Sequence, residues 1–138
     1  TKFLSFYDND DKLCGFIYLA VQFRQVFVMF FAVDRELRSM GYGSKILNEL
    51  QNLYPMKTVI VSIEHSNNDK TGELERRKRF YLRNGFKETG YLMRLKGVEQ
   101  EILVRNGRFS KAKFRAFLAL YSNGTLWPKI WKSDKAGY

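Results

Sequence analysis

A glycine-bearing loop between an apolar run and an amphipathic segment is the stretch of this sequence best suited to chemistry. Residues 38–44 read Arg-Ser-Met-Gly-Tyr-Gly-Ser and follow an unbroken apolar run at 26–33, which is typical of a fully buried strand. Apolar residues at helical spacing come after the loop, and Pro55 closes the segment: Ile46, Leu47, Leu50, Leu53 and Tyr54. Main-chain N–H groups at a helix N-terminus bind anions, and glycines let the backbone approach closely. The order strand, glycine loop, helix therefore predicts a phosphate site.

Two common phosphate-binding loops are excluded by the residues present. A Walker loop needs Gly at the position of Arg38 and Lys directly after Gly43, where Ser44 stands. A dinucleotide-binding fingerprint needs a third glycine at the position of Ile46. The remaining pattern, Arg38, Gly41 and Gly43, resembles the pyrophosphate loop of the GCN5-related N-acetyltransferase (GNAT) family, which has Gln or Arg, two residues, Gly, one residue, then Gly or Ala.

A second segment carries the same resemblance. Residues 76–87, Arg-Arg-Lys-Arg-Phe-Tyr-Leu-Arg-Asn-Gly-Phe-Lys, are similar to the family's later helix, which ends in an aromatic-Tyr pair before a Gly-Phe that opens the next strand. Gly85 is a natural residue to follow a helix C-terminus, and basic side chains favour the last turns of a helix. The two motifs stand in the family's order, and the resemblance spans residues 2 to 105.

The apolar segments, and the turn and capping residues between them, predict an element order that matches the family's fold. Strands are predicted at 2–7, 13–22, 26–33, 58–63, 87–95 and 99–105, with helices from the loop to Tyr54, at 73–84, and from a cap at Ser110 to Asn123-Gly124. We therefore expect an α/β (α+β) fold, a mixed and mostly antiparallel sheet flanked by helices, in a single acetyltransferase domain over residues 1–138. Its core would span 2–105, with a C-terminal helix and tail at 108–138. The family's N-terminal strand and two helices, which close the acceptor side, are expected to be absent or reduced.

The resemblance implies a cosubstrate and a reaction. Acetyl-CoA would donate its acetyl group to a primary amine, which attacks directly within a ternary complex. The pantetheine arm would lie along the 26–33 strand, and the pyrophosphate would bind N–H groups of the loop. The implied cofactor-binding residues are Ala32, Val33, Arg38, Ser39, Met40, Gly41, Tyr42, Gly43 and Ser44.

The candidate acid and base come from two later segments. Tyr81 is interpreted as the general acid that protonates the departing thiolate, with a core tyrosine as the alternative. Glu64, at the end of the 58–63 strand, is the predicted base, and His65 is a second candidate because it follows directly. Asn67 has the type of a frequent family residue, but its spacing to Tyr81 is longer than usual, so its role does not carry over.

The charge composition indicates which kinds of molecule this protein binds. Twenty-four Lys and Arg against 14 Asp and Glu give a net charge of +10, which favours anionic partners such as coenzyme A. A nucleic-acid-binding module that uses Trp127, Trp131 and Tyr121 for stacking is an alternative, although no nucleic-acid motif is present. A coenzyme-A-binding relative without catalysis is another. The acceptor is expected to be a small-molecule or peptide amine.

The remaining expectations concern the surroundings of the protein and a few single residues. No metal is expected, nor a membrane span, since no apolar stretch is long enough. A cytoplasmic location and a buried thiol at Cys14 are expected, and a homodimer is compatible with the sequence. Glu99 and Glu101 are interpreted as part of a solvated strand edge, with a local acidic patch that would attract a polycationic acceptor as the alternative.

Overall fold

The computed structural model describes residues 2–22, 24–34, 40–65 and 70–133, and this part of the chain contains seven strands and three helices. In chain order they are β1 (Lys2–Tyr7), β2 (Leu13–Val21), β3 (Gln25–Val33), α1 (Tyr42–Leu53), β4 (Thr58–Glu64), α2 (Glu73–Arg83), β5 (Lys87–Leu95), β6 (Val98–Arg105), α3 (Lys111–Tyr121) and β7 (Lys129–Lys132). The chain divides into two compact units, Thr1–Val59 and Ile60–Tyr138. The predicted α+β class and mostly antiparallel pairing are confirmed.

The first unit is an antiparallel meander with one helix. Its meander consists of β1, β2 and β3, and Asp8 builds the β1–β2 turn by accepting hydrogen bonds from the N–H groups of Asp10 and Lys12 at 2.8 and 2.9 Å. α1 packs on β2, and its apolar stripe of Ile46, Leu47 and Leu50 is buried. The helical spacing seen in the sequence therefore marks the core face of this helix.

The apolar run at 26–33 is not the fully buried strand that its sequence predicted. Val26, Phe27 and Val28 are buried, but Met29 and Phe30 are 38% and 54% exposed. Consecutive β2 residues pair with Phe30 and Val28, so Met29 is the extra residue of a β-bulge. A bulge bends the strand and re-aims the side chains that follow it, which explains why burial ends at this point.

The second unit holds the rest of β4 in the strand order β4-β6-β5-β7, with α2 and α3. The β5–β6 hairpin turns at Lys96 and Gly97, which both have positive φ (51° and 79°), as a type I′ turn requires. Ser110 caps α3 as predicted, because its hydroxyl accepts a hydrogen bond from the N–H of Lys113 at 3.3 Å. Phe114, one of the three buried residues of α3, is completely buried.

The strand β7 was not predicted. It comprises four residues and pairs antiparallel with β5, and Trp131 stands opposite Leu92. Trp127 is 64% exposed and lies beside the guanidinium of Arg115 at 5.4 Å. No helix of the described ranges is long and apolar enough to cross a membrane.

Candidate active site

The second half of β3 forms an accessible apolar surface in the first unit. Beyond the bulge at Met29, the residues from Phe31 to Asp34 are half-buried, and Ala32 and Val33 are among them. Phe30 belongs to a ladder of stacked rings across the three strands, with centroid separations of 5.6 Å to Phe16 and 5.2 Å from Phe16 to Phe3. The predicted pantetheine-binding segment is therefore open at the residues that the family resemblance singled out.

Gly15 lets β2 approach this end of β3 closely. A β-carbon on Gly15 would lie 2.5 Å from the carbonyl oxygen of Ala32, 2.9 Å from Cδ1 of Ile46 and 3.2 Å from Cα of Val33. β3 and α1 thus converge on a residue of β2 that has no side chain. The sequence analysis missed this role, although a glycine between buried apolar strand residues is a recognised sign of close backbone approach.

A cavity of about 180 Å³ lies beside Gly15. Its walls come from the start of β2 and the end of β3: Leu13, Cys14, Gly15, Phe16, Ala32, Val33 and Asp34. The N–H of Asp34 donates a hydrogen bond to the carbonyl oxygen of Cys14 at 2.7 Å and closes the ladder there. Cys14 is buried as predicted, with 2% of its surface exposed. The cavity therefore adjoins Ala32 and Val33, the two strand residues of the candidate cofactor surface.

The helix that follows β3 begins as the loop motif predicts. Gly41 is the N-cap residue of α1 and has the left-handed conformation (φ 81°, ψ 7°) that glycine adopts without strain. The first four N–H groups of a helix lack intrahelical partners, and the first turn of α1 contains no acidic residue that would repel an anion. The ammonium of Lys45 lies 4.9 Å from the ring centre of Tyr42 and adds positive charge to this turn. The N-terminus of α1 is therefore suited to an anionic group.

The other predicted loop residues divide into two sets. Met40 is exposed, Ser44 is half-buried, and Gly43 is a buried residue within the first turn of α1 instead of a loop residue. Arg38 and Ser39 lie outside the described residues, as does Asn67.

Tyr81 lies in the second unit near the end of α2 and is the one buried residue of that helix, at 7% exposure. Its ring meets Phe80 and Phe86 edge to face, with centroids 5.3 and 5.2 Å away. Burial raises the pKa of Tyr81 to about 12, while the positive charge of Arg77 opposes the rise. The hydroxyl therefore stays protonated at neutral pH, which a proton donor requires.

The two candidate bases have different surroundings. Glu64, the last residue of β4, is exposed. His65 is half-exposed and lies between two carboxylates of β6: its Nε2 is 3.9 Å from Oε2 of Glu99, and its Nδ1 is 3.9 Å from Oε2 of Glu101. The N–H of His65 also donates a hydrogen bond to the carbonyl oxygen of Glu99 at 2.9 Å. His65 is therefore fixed by β6.

The interpretation of Glu101 as part of a solvated edge was wrong. Glu101 is 8% exposed, and its Oε1 lies 3.0 Å from Nζ of Lys78, which also lies 3.3 Å from Oε1 of Glu88. Burial lowers the pKa of Lys78, but the hydrogen bonds and negative charges of Glu101 and Glu88 outweigh it and raise that pKa above its ordinary value. Lys78 therefore stays charged and compensates the buried carboxylate. Sequence reasoning missed this lysine because it stands in a run of basic residues, and the sequence does not show which of them is paired with a buried carboxylate.

Comparison with known proteins identifies the family of the domain. The sequence model of the acetyltransferase (GNAT) domain matches residues 2–88. A GNAT-family acetyltransferase from Bacteroides thetaiotaomicron has a similar structure, with a TM-score of 0.68 and 23% identity over 90% of this chain and 74% of that one. No curated protein sequence gives a significant match.

Two further solved structures share the fold. Naa50 of Arabidopsis thaliana, in complex with the bisubstrate analogue CoA-Ac-MVNAL, has a TM-score of 0.54 and 20% identity over 69% of this chain and 66% of that one. An aminoglycoside 6'-N-acetyltransferase complexed with coenzyme A has a TM-score of 0.60 and 17% identity over 75% and 71%. Since the matched domain covers more than half of the sequence, the chain belongs to the GNAT acetyltransferase family.

Proposed function

We propose that this protein transfers an acetyl group from acetyl-CoA to a primary amine, which attacks the thioester directly within a ternary complex. The observation that carries the proposal is the left-handed Gly41 at the N-terminus of α1, which follows the half-exposed end of β3. Two acetyltransferase structures that share the fold, one bound to coenzyme A and the other to an analogue containing it, support the same cosubstrate.

The residues of the first unit would hold the donor. Main-chain groups of β3 at Ala32 and Val33 would hydrogen-bond the pantetheine arm, and a main-chain N–H near Val33 would polarise the thioester carbonyl. Residues 38–44 would bind the pyrophosphate through their N–H groups. The open surface beyond Met29 fits an extended, partly apolar arm, whereas a fully buried strand would not.

Tyr81 would donate its hydroxyl proton to the sulfur as the carbon–sulfur bond breaks. Glu64 would take the proton that the amine loses when its nitrogen bonds to the acetyl carbon. His65 remains the second candidate for this role, since its ring nitrogens lie 3.9 Å from the carboxylates of Glu99 and Glu101. Replacing Glu64 and His65 separately by Gln distinguishes the two, because loss of the base lowers kcat most at low pH, where little free amine is available.

Two measurements test the proposal. Acetyl-CoA at 100 times its dissociation constant should stabilise the protein by about 2.7 kcal/mol, while a mixed oligonucleotide should not. Thiol release should then be measured with spermidine, an aminoglycoside, free lysine and the peptide Met-Val-Asn-Ala-Leu. Stabilisation by acetyl-CoA without release from any amine would favour a non-catalytic relative. Stabilisation by the oligonucleotide alone would favour a nucleic-acid-binding module.

A further inference from the structure

α2, the helix that carries the candidate acid, has a small apolar contact with its unit. Of its 11 residues, Tyr81 alone is buried, and the others are half-buried or exposed. A helix normally keeps its orientation through an apolar stripe of three or four residues per two turns. Leu74 and Phe80 are half-buried, so contacts besides the one buried ring also contribute to the rotation of the helix about its axis.

Lys78 supplies a charged contact of this kind. It precedes Tyr81 by three residues, so the two side chains share a face of α2. Its ammonium reaches carboxylates on two neighbouring strands, Glu101 on β6 at 3.0 Å and Glu88 on β5 at 3.3 Å. Two ion pairs to different strands oppose both rotation and axial displacement of the helix at this turn.

The burial of Glu101 makes the contact specific. A buried carboxylate needs a charged partner, and removal of the partner is strongly unfavourable. Glu101 is 8% exposed, with Oε1 on Lys78 and Oε2 facing His65 at 3.9 Å. A rotation of α2 that broke the bond to Lys78 would leave this charge uncompensated, so the pair opposes such a rotation.

We propose that Lys78 and Glu101 are positioning residues, which hold α2 on β5 and β6 and thereby orient the Tyr81 hydroxyl for proton donation. The proposal rests on the acetyltransferase function proposed above. Proton transfer depends steeply on geometry, and a displacement of about 1 Å lowers rates by roughly 100-fold. The helix setting therefore matters more to kcat than to donor binding.

The first test needs no acceptor. The eight tyrosines are replaced by 3-fluorotyrosine, and the ¹⁹F signal of Tyr81 is assigned by its loss in Tyr81→Phe. The Lys78→Met/Glu101→Gln variant removes both charges, so that neither is left buried and unpaired. We expect the Tyr81 signal to shift or broaden in this variant and to stay in place in Arg79→Met, which removes an exposed charge from the same helix. An unchanged Tyr81 signal in the double variant would overturn the proposal.

The second test uses the amine that releases thiol fastest in the panel above. The double variant should lose roughly 10- to 100-fold in kcat, with the KM for acetyl-CoA unchanged within about twofold. The single variant Lys78→Arg, which keeps the positive charge, should retain most of the wild-type kcat. When Lys78→Met/Glu101→Gln is introduced into Tyr81→Phe, kcat should fall by less than about twofold, because the pair acts through Tyr81.

The outcomes separate the two proposals. Equal losses of kcat with and without the Tyr81 hydroxyl would reduce the pair to a stabilising role. If the double variant does not fold, Glu101→Gln alone, which keeps the shape of the side chain, is measured by both methods with the same criteria. If no amine is acetylated, the proposed function fails, while the ¹⁹F measurement still decides the positioning role.

Discussion

A methyl group added at Gly15 should disturb the first unit more than its size suggests. The new β-carbon in Gly15→Ala would lie 2.5 Å from the carbonyl oxygen of Ala32 and 3.2 Å from Cα of Val33. Both are backbone atoms, so no change of rotamer relieves the overlap. The third neighbour, Cδ1 of Ile46 at 2.9 Å, is the end of a side chain and can move. The cost is therefore set by separation of β2 from β3.

The magnitude follows from overpacking. Extra carbon atoms in a well-packed interior cost about 1–3 kcal/mol, and each kcal/mol lowers the Tm of a chain of this length by about 4 °C. We expect Gly15→Ala to lower the Tm by about 4–12 °C. Because the displaced atoms belong to Ala32 and Val33, affinity for acetyl-CoA should fall as well.

Gly97→Ala is the matched control. Gly97 lies in the β5–β6 turn with φ 79°, and nothing lies within 4 Å of an added β-carbon. Its strain of about 1 kcal/mol should lower the Tm without affecting acetyl-CoA binding measured by calorimetry. A Gly15→Ala protein with the wild-type Tm would refute the steric argument. A lowered Tm with wild-type affinity would separate Gly15 from the cofactor surface.

Three further predictions concern the loop and the acid. Gly41→Val should weaken acetyl-CoA binding by roughly tenfold or more, because a branched side chain is strained at φ 81° although space is open around it. Undiminished affinity, measured by calorimetry, would contradict the assignment of an anion site at the N-terminus of α1. Tyr81→Phe should lower kcat by roughly 10- to 10⁴-fold with little change in acetyl-CoA affinity, and wild-type turnover would return Tyr81 to a packing role. Burial raises the pKa of Tyr81 from 10.0 to about 12, so the unfolded chain ionises first. The stability that Tyr81 contributes is complete below pH 10 and is lost as the pH rises through about 12, a loss of about 2–3 kcal/mol. Urea midpoints at about pH 9 and 11 should therefore fall less in Tyr81→Phe than in the wild type, and equal falls would contradict the effect of burial.

Local chemistry was the predictable part of this fold. Ser110 caps α3 and Gly41 begins α1 because each role depends on one residue type at one backbone conformation. α1 and α3 were also predictable, since the helical spacing of their apolar residues can be recognised without knowing which elements they pack against. β7 was not predicted because four residues are too few to show the alternation of a strand, and its position depends on pairing with β5, which is more than 30 residues earlier.

The bulge at Met29 could not be predicted from the apolar run. A strand buried on both faces shows no alternation, so an inserted residue leaves no break in the pattern. The break appears only when β2 pairs with both sides of Met29. The consequence for function is large, because the half of β3 that the bulge opens is the half to which the family resemblance assigns the donor.

The ion pair of Lys78 and Glu101 shows why buried charges are hard to recognise in a sequence. Lys78 stands in a run of basic residues, and Glu101 stands in a strand with two other polar positions beside it. Nothing in either segment distinguishes a buried charge from a solvated one. The two become partners because α2 lies over β5 and β6 at the turn of Tyr81. Since a buried charge is stable only where its partner is held close, the constraint that makes Glu101 tolerable is also the one that holds the candidate acid in place.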